Sequence, residues 1–141
     1  MHLVRDPEPT RFAPHTGEVV LRVGAPDLRG LFVEAASALA ELQAGDALPT
    51  MLDRSDVIQL ETPDVDALLV SWLDELIFLG DVHHCVYTRF ELEHCTPTSL
   101  RAFVFGGSPE SLRTQVKAAT FHRLRVETSG PRCSAELVLD V

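Results

Sequence analysis

The sequence predicts a single α+β domain, a layered fold in which two amphipathic helices pack on a mostly antiparallel β-sheet. Two long segments carry apolar residues at helical spacing, and several short segments alternate between apolar and polar residues. The order strand–helix–strand–helix is followed by further strands, which argues against a doubly wound parallel sheet. The chain of 141 residues is one domain in size, and its 45% apolar and 23% charged residues exclude a disordered protein.

The first helix follows a short strand. Residues 18–23 alternate in polarity, which indicates a half-buried strand. Asp27 is placed to cap a helix that ends at Gly45. The apolar residues of this helix share one face and are Leu28, Leu31, Phe32, Ala35, Leu39 and Leu42. Before it, residues 1–13 are rich in proline and predict an N-terminal arm, which leaves residues 14–141 as the domain.

The second helix follows a strand predicted over residues 57–61. Thr62 and Pro63 predict the start of this helix, because proline is tolerated in a first turn, and Gly80 predicts its end. Its apolar face consists of Val65, Leu68, Leu69, Trp72, Leu73, Leu76 and Leu79. Both helices are therefore one-sided and need a sheet, or each other, to cover them.

The rest of the chain is predicted to be mostly β. Alternating or β-branched segments indicate strands over residues 82–94, 99–105, 115–119, 124–127 and 133–141. The first two of these are predicted to form a hairpin, since turn residues separate them.

Carboxylates at the two ends of the domain suggest a cation site. Glu18 begins the first strand on its more polar side, and Asp140 points away from the apolar face of the last strand. The α-carboxylate of Val141 follows one residue later. If these strands are neighbours, the three groups could surround a hard cation, and oxygen ligands favour Ca²⁺, Mg²⁺ or Mn²⁺ over zinc. The competing interpretation is that both side chains are solvated strand-end residues.

Composition excludes several other classes of function. A net charge of −9 with no basic cluster argues against direct, strong binding of nucleic acid, but it allows a basic or metal-containing protein partner. No apolar run is long enough to span a membrane, and the N-terminus lacks the apolar core of a signal peptide. Three cysteines without a pattern indicate a reducing, cytoplasmic setting.

The predicted hairpin carries a second group of metal-capable residues. His83, His84 and Cys85 lie on one strand and His94 and Cys95 at the turn, and imidazole with thiolate can bind zinc. No C-x-x-C spacing supports such a site, so a hairpin with two half-buried cysteines is the preferred interpretation. No base is identified that would activate either thiol, and residues 106–108 lack the lysine of a phosphate-binding loop.

Four segments of the chain resemble landmarks of the archease family. His15-Thr16-Gly17-Glu18 is similar to the H-T-A-D opening, and residues 68–76 are similar to the D-W-L-N-E-L-L helix. Residues 116–122 are similar to the V-K-A-x-T-Y-H segment, and residues 139–141 to the terminal L-D-V or L-D-I. All four occur in the family's order at compatible spacing, so the resemblance extends over almost the whole domain.

The resemblance implies a small, cytoplasmic protein that is not itself an enzyme. Archeases activate the RtcB-type, GTP-dependent RNA ligase, which joins 2′,3′-cyclic phosphate or 3′-phosphate ends to 5′-hydroxyl ends in tRNA splicing and RNA repair. They promote its guanylylation and turnover with the help of a divalent ion. By position, the resemblance assigns that ion to Glu18, Asp140 and the terminus at Val141, and Glu18 stands where the family has Asp.

The same resemblance makes His15, Lys117 and His122 candidates for contact with the partner or for support of the acidic site. Two further hypotheses remain open. The first is a protein-binding chaperone or scaffold that uses no metal. The second is a metal-dependent hydrolase built on Glu18 and Asp140, for which the sequence identifies neither a base nor a substrate pocket.

Overall fold

The computed structural model of the protein describes the backbone of residues 12–15 and all of residues 17–141. Eight strands and two α-helices occur in the order β1 (Phe12–His15), β2 (Glu18–Ala25), α1 (Leu28–Ala44), β3 (Arg54–Glu61), α2 (Val65–His83), β4 (Val86–Cys95), β5 (Ser99–Gly107), β6 (Ala118–Ala119), β7 (Arg125–Glu127) and β8 (Cys133–Asp140). A 3₁₀ turn over Gly45–Ala47 follows α1. Residues 1–11 of the predicted arm lie outside the described residues, while Phe12 and Ala13 belong to β1.

The strands form two antiparallel sheets instead of one. The five-stranded sheet has the order β1-β2-β8-β6, with β7 also paired to β8, and the three-stranded sheet has the order β3-β5-β4. Both helices contact strands of both sheets. The predicted class, two amphipathic helices on mostly antiparallel β-structure, is therefore confirmed. The first and last strands of the predicted domain, β2 and β8, are direct neighbours.

Two aspartates begin the helices. The Asp27 carboxylate accepts a hydrogen bond from Gly30 N at 2.7 Å, so the predicted cap of α1 is confirmed. At α2 the cap is Asp64, which accepts from Ala67 N at 2.8 Å, whereas Thr62 and Pro63 precede the helix. Because the carboxylate of Asp64 accepts a hydrogen bond from an otherwise unpaired amide of the first turn, helix α2 begins directly after Asp64.

Helix α2 also ends later than predicted. It continues through Gly80 to His83, and His84 follows in the left-handed conformation with a φ of 53°. The prediction of a strand from residue 82 was wrong, because β4 begins only at Val86. The predicted strand over 115–119 was too long, since only Ala118 and Ala119 pair with β8. A glycine within a helix is tolerated where tertiary packing stabilises the helix.

The core is centred on Trp72 of α2, which is fully buried. Its indole Nε1 donates a hydrogen bond to the carbonyl oxygen of Phe32 in α1 at 2.9 Å. The edge of its ring meets Phe90 of β4, with the ring centres 6.0 Å apart. Trp72 therefore joins the two helices and the smaller sheet. Neither helix in the described part of the chain is long and apolar enough to span a membrane.

We expect Trp72→Phe to lower the free energy of unfolding by about 1–3 kcal/mol, because it removes a buried hydrogen bond and leaves a cavity. Urea denaturation measures the change. Phe78→Ala on the same helix is the control; this side chain is 58% exposed, and its loss should stay within about 0.5 kcal/mol. Equal losses in the two variants would contradict the central position of Trp72.

Candidate metal site at the end of the chain

Glu18 of β2 and Asp140 of β8 lie directly opposite each other in the antiparallel pairing. Opposed residues of such a pair project from the same face, with Cβ atoms about 4.5–5.5 Å apart. Their neighbours in sequence, Val19 and Leu139, are also paired and are buried on the other face. The backbone therefore brings together two carboxylates that are far apart in sequence, and both are half-buried.

The end of β8 is hydrogen-bonded on both sides. Val141 N donates to the carbonyl oxygen of Gly17 at 3.1 Å, on the side of β2. On the other side, Lys117 N donates to the carbonyl oxygen of Asp140 at 2.8 Å. Chain ends usually fray unless they are tied down in this way. The backbone of Asp140 and Val141 is thus held at a fixed position.

The paired acids differ from the other charged pair on the same face. Four residues further along β2, Arg22 pairs with Glu136, and Arg22 Nε lies 3.0 Å from Glu136 Oε1. Between the two charged pairs, the buried valines Val20 and Val138 oppose each other. Like charges directly opposite each other are destabilising, whereas opposite charges stabilise. The pair of Glu18 and Asp140 is therefore the position on this face that a cation would stabilise.

This donor set fits a hard divalent cation. Its ligands are carboxylate oxygens, as Ca²⁺, Mg²⁺ and Mn²⁺ prefer. Among the side chains that the structure describes, those of residues 17–141, no three His, Cys, Asp or Glu come together as a metal-binding group. The protein could thus offer two side chains and the terminal carboxylate. Because Ca²⁺ takes six to eight ligands and Mg²⁺ six, water or a partner would complete the coordination.

The other predicted site residues, His15, Lys117 and His122, differ in how the backbone connects them with Glu18 and Asp140. His15 is the backbone partner of Glu18 in β1, so its position belongs to the same row across the sheet; its side chain is outside the described part of the structure. Lys117 is exposed and adjoins Asp140 through the backbone hydrogen bond above. His122 is exposed in the turn after β6, where its N–H donates to Thr120 Oγ1 at 3.2 Å. No described contact connects His122 with the acids.

Sequence reasoning missed Asp74, a half-buried residue of α2. Its Oδ1 accepts a hydrogen bond from Ala119 N in β6 at 2.7 Å. Burial raises the pKa of this carboxyl group, while the hydrogen bond from Ala119 acts in the opposite direction. In the sequence, Asp74 is visible only as an acid at the border of the apolar face of a helix. That position does not identify its hydrogen-bond partner, which lies 45 residues away.

The zinc-capable residues do not come together. Cys85 precedes β4 and Cys95 ends it, and a strand of ten residues spans about 30 Å. Burial raises the pKa of both thiols, which keeps them in the weakly reactive protonated form. All three cysteines are free. This geometry agrees with the preferred interpretation of structural cysteines.

A second polar cluster surrounds Asp56 of β3. Arg54 donates to both carboxylate oxygens of Asp56, at 2.8 and 2.9 Å, and the Tyr87 hydroxyl donates to Oδ2 at 2.5 Å. The hydrogen bond from Arg54 lowers the pKa of Asp56. A terminal nitrogen of Arg54 also lies 2.7 Å from His83 Nε2. These groups satisfy one another, as in a structural network that joins β3, β4 and the end of α2.

Comparison with known proteins agrees with this architecture. The model of the archease protein family matches residues 11–141. The chain belongs to the archease family. Among curated relatives, Protein archease of Archaeoglobus fulgidus is 30% identical over 135 residues, which cover 93% of this chain and 98% of the relative. Protein archease of Methanosarcina acetivorans is 28% identical over 138 residues, with coverage of 92% and 94%.

Two solved structures share the fold of this archease. The solution structure of Methanobacterium thermoautotrophicum protein 1598 has a TM-score of 0.68 at 24% identity, and the match covers 93% of this chain and 97% of that protein. The crystal structure of a Thermotoga maritima protein, described as an archease and possible chaperone, has a TM-score of 0.63 at 17% identity. That match covers 92% and 94% of the two chains.

We predict opposite effects of two substitutions when divalent ions are removed with EDTA. Asp140→Asn should raise the free energy of unfolding by a few tenths of a kcal/mol, because it removes the repulsion between opposed acids. Glu136→Gln on the same strand face is the control and should lower it by up to about 1 kcal/mol, because it breaks the ion pair with Arg22. Urea denaturation in EDTA compares the two. A loss in Asp140→Asn as large as in Glu136→Gln would contradict the repulsion.

Proposed function

We propose that this archease is a non-enzymatic accessory protein that activates a GTP-dependent RNA ligase of the RtcB type. In this proposal a divalent cation binds at Glu18, Asp140 and the terminal carboxylate of Val141, and the protein promotes guanylylation and turnover of the ligase in tRNA splicing and RNA repair. The observation that carries the proposal is the register of β2 and β8, which sets Glu18 directly against Asp140. Membership of the archease family supports the choice of partner.

The position of the acids suits a site shared with a partner. Glu18, Asp140 and Val141 are half-buried at the end of two strands, so the backbone fixes them while one side stays accessible. The protein offers fewer oxygen ligands than Ca²⁺, Mn²⁺ or Mg²⁺ requires, which leaves positions for water or for groups of the ligase. When bound, such an ion neutralises phosphate charge of the kind that develops during guanylylation.

In this proposal the ligase supplies the catalytic residues and the archease supplies a docking surface with the acidic site. The acidic chain, with a net charge of −9, suits a protein partner better than RNA, because it would repel phosphates. Burial raises the pKa of the Cys85 and Cys95 thiols, which argues against an enzyme that uses either one as a nucleophile. The proposed place of action is the cytoplasm, where RNA repair would require the protein.

A metal-free chaperone or scaffold is the second candidate function. The Thermotoga maritima relative in fold is described as a possible chaperone. Exposed apolar side chains on α2, Phe78 and Val82, could contact a protein client. This candidate differs from the first in one measurable respect, because neither Glu18 nor Asp140 should then affect the activity. A metal-dependent hydrolase on the same acids ranks third, since the sequence identifies neither a base nor a substrate pocket for it.

We expect the purified protein alone to join no RNA ends and hydrolyse no GTP, and to increase multiple turnover by the ligase. Asp140→Asn should weaken Mn²⁺ binding at least about 10-fold and reduce ligase activation in parallel, and Glu18→Gln should act in the same direction less strongly. Calorimetry with Mn²⁺ and RNA-joining assays under limiting enzyme measure these effects.

The matched control for these variants is Glu127→Gln, which alters an exposed carboxylate at the opposite end of the same sheet. It should leave both properties unchanged. Normal activation by Asp140→Asn with unaltered circular dichroism would refute the role of the site and favour the chaperone. Sustained hydrolysis of GTP by the protein alone would refute the accessory role.

A separate prediction concerns the terminal carboxylate of Val141. A C-terminal extension converts this carboxylate into a neutral peptide carbonyl at the same position. Saturation of a site at 100 times the dissociation constant stabilises a protein by about 2.7 kcal/mol, on the order of 10 °C in melting temperature for a domain of this size. We expect such a shift with Ca²⁺ or Mn²⁺ for the N-terminally tagged protein and a much smaller shift for the C-terminally extended one. Equal shifts would show that Val141 contributes no charge.

A further inference from the structure

Strand β6 closes one side of the proposed site although it contains only Ala118 and Ala119. It lies at the edge of the five-stranded sheet, next to the end of β8. Ala118 and Ala119 pair with Asp140 and Leu139, and the flanking residues add two backbone hydrogen bonds: Lys117 N donates to the oxygen of Asp140 at 2.8 Å, and Thr120 N to the oxygen of Val138 at 3.0 Å. So short an edge segment opens easily unless another element holds it.

Helix α2 supplies that additional support through one side chain. The amide of Ala119 is directed to the helix, where Asp74 Oδ1 accepts its hydrogen at 2.7 Å. Ala119 itself is buried, so this amide would be left without an acceptor if Asp74 were removed. A hydrogen bond to a carboxylate in a half-buried place is stronger than an ordinary surface hydrogen bond. Asp74 therefore fastens β6 to α2, the helix that carries the buried Trp72.

We propose that Asp74 is a positioning residue for the cation site, which holds the end of β8 against β2 by anchoring β6 at Ala119. The inference rests on the proposed function, because it assigns to Asp74 a part in the affinity of that same site. The path is short and contiguous: Asp74 binds Ala119, the β6 segment binds Asp140 and Val138, and Asp140 faces Glu18. Without the anchor, β6 would be held against the end of β8 by its own pairing with that strand and would lose its support from α2.

Asparagine provides a conservative replacement that separates the hydrogen bond from the charge. Its amide oxygen can accept the Ala119 N–H, whereas alanine has no acceptor. Because burial raises the pKa of Asp74, this group contributes stability at low pH that is lost as the pH rises and the carboxyl group ionises. At neutral pH, Asp74→Asn therefore keeps the anchor without burying a charge. Asp74→Ala loses the anchor.

The experiment measures Mn²⁺ affinity by calorimetry together with amide hydrogen exchange at Lys117, Ala119 and Thr120. The full chain is compared with Asp74→Ala, Asp74→Asn and the control Asp81→Ala, which alters an exposed acid of the same helix. We expect Asp74→Ala to bind Mn²⁺ about 10-fold more weakly and to lose exchange protection at all three amides, in a protein that is still folded. Asp74→Asn and Asp81→Ala should retain both properties.

Two results would overturn the inference, and they are distinguishable. If the unaltered protein binds no Mn²⁺, the proposed function fails and the inference fails with it. If the unaltered protein binds Mn²⁺ and Asp74→Ala binds it equally well, only the role of Asp74 is refuted. If Asp74→Ala does not fold, Asp74→Asn provides the test. Weaker Mn²⁺ binding by Asp74→Asn, with the amides of Lys117, Ala119 and Thr120 still protected, would refute the inference. It would show that the charge of Asp74, and not its hydrogen bond, acts on the site.

Discussion

The rest of the site depends on one interaction, the antiparallel pairing of β2 with β8. Eight consecutive residues of each strand are paired, from Glu18 with Asp140 to Ala25 with Cys133. A shift of one residue would turn Asp140 toward the core and Leu139 toward solvent, because side chains alternate between the two faces. Burial of Leu137 and Leu139 therefore fixes the register, and the register in turn places the acids. The hydrophobic core, against which Val141 also packs, therefore positions the polar groups of the site.

This arrangement opposes two negative charges at a place where the same strands could have carried an ion pair, as they do at Arg22 and Glu136. Departures from local electrostatic preference are expected at functional positions, where the packing of the fold tolerates them. The departure is small in energy because Glu18 and Asp140 are only half-buried and water screens them. The fold can therefore hold the acids together without a cation and still present a favourable place for one.

Sequence patterns predicted the parts of the molecule that depend on local rules. Alternation placed Asp140 on the outer face, helical spacing placed Trp72 in the core, and the cap at Asp27 was read from a single residue. The pairing of β2 with β8 was only a hypothesis from the residues, since alternation gives the face of a strand but not its neighbour. The pairing is what turned two separate acids into a candidate site.

The features that the sequence did not predict all depend on contacts between distant segments. Helix α2 extends to His83, whose side chain contacts Arg54, although Gly80 predicted that the helix would end there. The cluster around Asp56 joins three elements, and the hydrogen bond of Asp74 joins residues 45 apart. In each case a common polar residue has many plausible partners, and only the packing of the helices on both sheets selects one.

The end of the chain shows how folding and cation binding would be linked. Three segments hold residues 138–141: β2 on one side, β6 on the other, and α2 indirectly through Asp74. β6 and α2 are distant in sequence from both Glu18 and Asp140, and β2 is distant from Asp140. The site therefore exists only when the domain is complete. An ion that binds this site binds the folded state alone and must stabilise it by mass action. Conversely, a change that loosens β6 should weaken the site before it unfolds the protein, because short edge segments open at lower free energy than the core.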